Sequence, residues 1–445
     1  MVLTLLVYYF NDGDILSPAV LACFAFIISC IAAIYDCYAW DTGISLTTVF
    51  VILFGLVCFV VPASFFGSRN CDREARVKMG KVITVPKACT VVVLVFGIIV
   101  SILYVRSILS VANVVNGDWS ATMQDYRQQV SYGDSDEIAL PSYVNYSFKL
   151  LMAFAYAYMF VFVNDLVVEK KARLPYLIVP FVYCGVSLTQ ASRGQIIIFL
   201  FASIVMYWIL YSRYGNRRLR VPFSAVVWIV VALIAGLALF TMAGTLVGRT
   251  TVKTPLDSLA CYVGGSIIGL DMFLSDPGSA TSPTNIFGAE TFRGIYAFLS
   301  GVFGVPEWSY SFQMEYRFIN GVNIGNLYTA FRYYLHDFGY VGMALLSIVQ
   351  GVFFGAFYRI LVGKKDFKSE ISLGAFSIIY SYLAIAVVYL PLADYLFHQY
   401  LNPTTMLTLA MCAFAVFVLC KAGNLKQSSR SLHASRSAST SSMMR

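Results

Sequence analysis

The chain has 445 residues, of which 59% are hydrophobic and only 12% charged, with a mean hydropathy of +0.74 and a formal net charge of +8. Soluble globular proteins carry about 25% charged residues, so this composition excludes an ordinary soluble domain. The basic excess calls for no nucleic acid, because its placement follows a membrane topology.

Met1 to Phe10 is apolar but too short to cross a bilayer and is followed by Asn11-Asp-Gly-Asp14, so the first spanning helix is expected to serve as the insertion signal. Apolar runs of about 20 residues then recur along the length, as transmembrane helices require. They predict ten spans, at 15–35, 46–66, 89–112, 147–168, 174–190, 194–212, 222–246, 340–360, 371–391 and 403–421. The fold class expected is therefore all-α: a polytopic integral membrane protein with about ten helices in one domain, 1–421.

Most of the 31 basic residues lie in every second connection: 67–88, 169–173, 213–221, 359–370 and the tail after Lys421. Lys and Arg collect on the cytoplasmic side, which predicts cytoplasmic termini and an even span count. The outward connections are then 35–43, with Tyr38 and Trp40; the acidic 113–146; the tight turn at Gln190–Arg193; the long 247–339 between the seventh and eighth spans; and 391–402. Residues 422–445, rich in Ser and Arg, are expected to be disordered.

A connection longer than about 15 residues is usually functional or disordered, and 247–339 is too aromatic for disorder. Pro255–Leu274 and 291–302 read as short helices at or dipping into the membrane, with Pro283, Gly288, Gly301, Gly304 and Pro306 as turn punctuation.

Ten cysteines suggest disulfides by number alone, but most fall inside or beside apolar runs, and no CxxC occurs. They read as small buried hydrophobes. With three histidines and no ligand spacing, neither a metal nor a cofactor is expected.

The chemistry concentrates on the outward face. Arg193 stands in the stretch Gly185-Val-Ser-Leu-Thr-Gln-Ala-Ser-Arg-Gly-Gln195 between two apolar runs. Burying an arginine in lipid costs at least about 2.5–3.5 kcal/mol, so it must meet a surface or a polar cavity, with Gln190 and Ser192 as neighbouring polar groups. Arg249, Lys253, Arg293, Arg317 and Arg332 share that side. Guanidinium forks match phosphate oxygens, so the arginines are candidate ligands of a lipid-linked phosphate or pyrophosphate; snorkelling to headgroups and pairing with outer carboxylates are the alternative roles. A second dense stretch, Asn326-Leu-Tyr-Thr-Ala-Phe-Arg-Tyr-Tyr-Leu-His-Asp-Phe-Gly-Tyr340, leads into the eighth span and places Thr329, Arg332, Tyr333 and His336 on one helical face. Candidate bases are His336, Asp337, Glu315 and Asp271; Trp308, Tyr310, Tyr316, Tyr328 and Tyr333 could stack on sugar rings or serve as interfacial packing. Gly351 and Gly355 form a GxxxG that reads as helix packing.

Ala191-Ser-Arg-Gly-Gln-Ile-Ile197, followed by a long outward connection and then Asn326-Leu-Tyr-Thr329 with Asp337-Phe-Gly339 and Gly342, resembles the Wzy-type O-antigen and oligosaccharide-repeat-unit polymerases over roughly residues 140–420. The resemblance implies a bacterial inner-membrane glycosyltransferase. It would join undecaprenyl-diphosphate-linked repeat units on the periplasmic face, with a chain-length regulator as a further candidate partner. In those terms Arg193, Arg249, Arg293, Arg317 and Arg332 would meet the diphosphate. Gln190, Ser192, Asn326, Tyr328 and Tyr333 would meet the glycan, and His336 or Asp337 would deprotonate the acceptor. A polysaccharide ligase is the nearest alternative. A flippase is disfavoured by the scarcity of ionisable residues in the spans.

Overall fold

A computed structural model of the protein describes residues 2–67, 80–111, 122, 126, 140–189, 194–214, 255–276, 283, 285–310, 312, 314–363, 367 and 369–427. In chain order its elements begin with α1 (Val2–Phe10), α2 (Pro18–Ala39), α3 (Leu46–Gly67), β1 (Lys81–Thr84), α4 (Lys87–Val111) and α5 (Ser142–Val168). Then come a 3-10 turn (Leu174–Leu177) running into α6 (Ile178–Leu188), α7 (Gly194–Tyr214), α8 (Pro255–Ser275), α9 (Arg293–Phe303), β2 (Arg317–Ile319) and β3 (Val322–Gly325). The chain closes with α10 (Ala330–Val362), α11 (Glu370–Leu383), α12 (Ile385–Val388), a π turn (Tyr395–Tyr400), α13 (Pro403–Ala422) and β4 (Asn424–Gln427).

Among the described residues eight helices are long and apolar enough to cross a membrane: α2, α3, α4, α5, α7, α10, the run Glu370–Val388 and α13. They match eight of the ten expected spans. Their outer faces carry large apolar side chains, such as Val91, Val92, Ile98 and Phe65, that are more than half exposed; so much exposed apolar surface suits lipid rather than water. The protein is a multi-pass membrane protein. Of the other two expected spans, the one at 174–190 is represented by a shorter apolar helix, Leu174–Leu188, and its end lies next to residues 190–193, outside the described residues. The span expected at 222–246 lies outside the described residues.

Two compact units divide the chain. The first comprises Met1–Cys71, Thr251–Gly363 and Leu383–Leu407. Its centre is α10 against α3, where the GxxxG brings the backbones together: a Cβ on Gly351 would strike the Phe59 carbonyl oxygen, and one on Gly355 would lie 2.6 Å from that of Ala63. Phe331 packs against the middle of α3, with Gly55 leaving room for its ring, and stacks on Phe26 of α2 at 5.4 Å. At 33 residues α10 is longer than a bilayer requires, and it breaks at Gly339, whose φ 65 and ψ −165 are essentially restricted to glycine. The Asp337-Phe-Gly339 stretch is thus a helix break. It separates an apolar span from the segment 330–338, which carries the polar residues.

The second unit comprises Asp72–Thr250, Lys364–Tyr382 and Thr408–Arg445. Its core is α5, buried over most of the stretch from Leu151 to Asp165, with Tyr156 and Tyr183 packed edge-on to Phe199 at 4.9 and 5.4 Å. Gly374 of α11 gives space to Phe160 and Val416. Where α5 ends, buried Asp165 takes Arg173 at 2.8 Å and Asn164 donates to the Lys81 carbonyl at 2.8 Å. Antiparallel pairing of β1 with β4 draws residues 424–427, at the start of the expected disordered tail, into a two-stranded sheet; 428–445 lie outside the described residues.

Candidate functional site

The polar centre of the first unit is built from a turn and a helix end. Gly288 (φ 67) turns the chain, Phe292 N–H returns to its carbonyl at 2.8 Å, and Ala289, Glu290 and Thr291 are left almost wholly buried. A buried carboxylate needs a counter-charge, and Arg332, one turn into α10, supplies it: its Nη1 pairs with Glu290 Oε2, the two side chains being 4% and 0% exposed. The guanidinium lies 4.7 Å from the Phe273 ring centre on α8 and 5.5 Å from that of Tyr328. These flat faces suit its weakly hydrated cation.

One turn further along α10, His336 Nδ1 lies 3.1 Å from Asp337 Oδ1 and 3.3 Å from Glu290 Oε1. Asp337 is itself fixed, for Thr291 N–H donates to its Oδ2 at 2.7 Å and Glu290 N–H to its Oδ1 at 3.5 Å. The Asp337 side chain is 4% exposed, whereas that of His336 is 25% exposed. Of the two residues expected as base, only His336 can present an atom to a substrate. Glu290, His336 and Asp337 bring ligand-type atoms within 4.8 Å of one another, but Arg332 already occupies Glu290 with positive charge.

Behind this cluster lies a second buried network. His398 Nδ1 meets the Glu290 carbonyl oxygen at 2.5 Å, and its ring packs between Phe312 and Tyr333 at 5.1 and 5.2 Å. Burial and the nearby Arg293 cation lower its pKa to about 4, so it is neutral. Asp394 caps the π turn, accepting from the Phe397 and His398 N–H groups at 3.1 and 3.2 Å. It also takes the Tyr334 hydroxyl, which receives a bond from Gln350 at 2.8 Å. Desolvation raises the Asp394 pKa to about 7 against these hydrogen bonds.

The structure sorts the residues expected in the site. Gln190, Ser192, Arg193, Arg249 and Lys253 lie outside the described residues. Arg332 is committed to Glu290. Arg317 is held by Glu315 at 2.9 Å and by Asp276, whose carboxylate is at 3.6 Å and whose carbonyl is at 2.9 Å. Arg293, at the start of α9, sits 5.7 Å from the Phe312 ring centre and has no carboxylate partner among the described residues. Of the arginines expected in the site, it is the one among the described residues outside an ion pair, since Arg317 and Arg332 are both paired with carboxylates. Tyr328 and Tyr333 are buried, their faces against Arg332 and against Phe312 and His398, so the protein's own groups occupy them; Asn326 is half-buried. Asp271, another candidate base, is taken up by Ser45 and Thr48, whose hydroxyls both donate at 2.6 Å.

Glu290 and the Asp394–His398 pair are the residues that sequence reasoning missed. Glu290 was one acid among many in a long connection, and nothing in its spacing ties it to Arg332. His398 offered a weak signal, as one of three histidines, in an outward connection. No family model, curated protein or solved structure matches the chain.

Proposed function

We propose that this protein is a bacterial inner-membrane glycosyltransferase with cytoplasmic termini. It polymerises undecaprenyl-diphosphate-linked oligosaccharide units on the outer face of the membrane. The observation that carries this reading is His336, a partly exposed imidazole held between two buried carboxylates just before the break of α10 at Gly339. Transfer needs a base for the acceptor hydroxyl and cations for the departing diphosphate. In the proposed step the acceptor oxygen bonds to the anomeric carbon of the donor glycan while the carbon–oxygen bond to the diphosphate breaks. The hydroxyl proton passes to His336 Nε2, and undecaprenyl diphosphate departs with the electron pair. Arg293 is the described cation available to that leaving group, and Arg193 and Arg249 are further candidates from the sequence. The substrate enters from the bilayer, so a polyprenyl chain can stay in lipid while its headgroup reaches the site.

The test is the length distribution of surface polysaccharide in a deletion strain complemented with wild type or His336→Ala at matched membrane abundance. Restoration of a ladder by wild type, and collapse to single repeats with the variant, is the expected result. Chain lengths unaltered by deletion would remove the polymerase reading. Loss of all surface glycan with lipid-linked polymer accumulating would point to a ligase instead.

A further inference from the structure

We infer that Asp337 and Glu290 are positioning residues for His336, holding its Nδ1 protonated so that Nε2 carries the free lone pair. The catalytic consequence rests on the transfer reaction proposed above, whereas the tautomer does not.

The hydrogen-bond inventory decides the tautomer. Asp337 accepts from Thr291 N–H on Oδ2 and from Glu290 N–H on Oδ1, so both carboxylate oxygens already act as acceptors. An ionised carboxylate can only accept, so the 3.1 Å contact between Asp337 Oδ1 and His336 Nδ1 requires the proton on nitrogen. Glu290 Oε1, 3.3 Å from the same nitrogen, adds a second acceptor. Arg332 holds the other oxygen of that carboxylate. A neutral imidazole with a proton on Nδ1 has its lone pair on Nε2. No described residue bonds Nε2, and the side chain is 25% exposed, so that atom is the one open to an acceptor hydroxyl. Among the described residues, the other groups near the cluster are Phe273 from α8, Arg293 from α9, Tyr310 from the segment after it and His398 from the π turn. None of them offers Nδ1 a competing donor.

Asp337 therefore acts through His336 rather than as an alternative base. The arrangement also explains why two acids and an arginine share so small a buried space. One acid is pinned by backbone N–H groups and the other by a guanidinium. Neither can swing away from the imidazole.

The experiment is nitrogen NMR of the full-length protein in lipid, labelled at histidine. The His336 signals are assigned by their loss in His336→Gln and recorded at about pH 8, where an ordinary imidazole is neutral. The expected wild-type spectrum has His336 with a protonated Nδ1 and an unprotonated Nε2. In Asp337→Asn and Glu290→Gln the population should move toward the Nε2-protonated form, while Glu290→Asp should retain the wild-type pattern. Wild-type His336 protonated on Nε2, or a pattern indifferent to both neutralising variants while the protein remains folded by thermal unfolding, overturns the proposal. In a polymerisation assay Asp337→Asn should lower kcat by roughly 100-fold, within the range of general-base contributions, with KM little changed. A KM change alone would overturn the positioning role. The expected tautomer alongside glycan ladders indifferent to His336→Ala supports the positioning geometry and rejects only the polymerase.

Discussion

Arg332 and Glu290 form an ion pair with both side chains sealed from solvent, 4% and 0% exposed, between two aromatic rings and a histidine. The pairing gives Arg332 a different task from the diphosphate contact that its charge and position in the sequence suggest. Removing one partner of a buried pair leaves the other charge uncompensated and costs about 3–5 kcal/mol. Arg332→Met should therefore lower the thermal unfolding temperature of the purified protein sharply. Arg332→Met with Glu290→Gln should recover much of the loss. Unchanged stability in the single variant, with weaker substrate binding, would return Arg332 to a ligand role.

Arg293 is expected to behave in the opposite way. It stands at the start of α9 without a carboxylate partner among the described residues, so Arg293→Gln should leave unfolding nearly unmoved. A hydrogen bond to a charged group contributes about 1.5–3 kcal/mol. KM for the lipid-diphosphate donor should accordingly rise by roughly 10- to 100-fold, measured with purified donor. An unaltered KM would exclude this arginine from the diphosphate site.

Asp394 and His398 should give opposing pH dependences to stability. The folded-state pKa of Asp394 is raised from 3.8 to about 7 by burial. Its contribution is full below the unfolded value and is lost as pH rises toward 7. The folded-state pKa of His398 is lowered from 6.5 to about 4. Its contribution is present above the unfolded value and is lost as pH falls toward 4. Between those limits the two partly cancel, each worth on the order of a few kcal/mol. Asp394→Asn should steepen the loss of stability on acidification, and His398→Gln should flatten it, in unfolding scans from about pH 4 to 8. Parallel curves for all three proteins would show that neither group titrates differently on folding.

Gly351 tests the helix packing. Its missing Cβ lets α10 lie directly on the Phe59 carbonyl and the Pro62 ring of α3. Overpacking costs typically about 1–3 kcal/mol, and here the obstacle is backbone rather than a side chain that could turn aside. Gly351→Leu should reduce folded protein recovered from membranes and lower its unfolding temperature. Gly301→Ala, where nothing stands within 4 Å, should do neither. Equal recovery of the two variants would contradict the close approach.

The spans were legible in the sequence because lipid imposes a one-dimensional rule. Any helix crossing it must be apolar for about 20 residues, so eight of the expected spans could be placed before any packing was considered. The GxxxG contact and the helices of the long connection were legible for a related reason: spacing and local composition carry them.

Sequence alone also marked His336 and Asp337 as chemistry-bearing, but it could not choose between them. They are adjacent in the chain, and only the turn at Gly288–Thr291 makes one a fixed acceptor and leaves the other open. Arg332 looked like a ligand because its charge is visible in sequence and its partner, 42 positions away, is not. Composition and periodicity determined that this is a membrane protein and where its helices run, since the bilayer acts on each segment separately. Tertiary structure decided which charges are spent on one another, because buried pairing depends on distances between segments that no local pattern records.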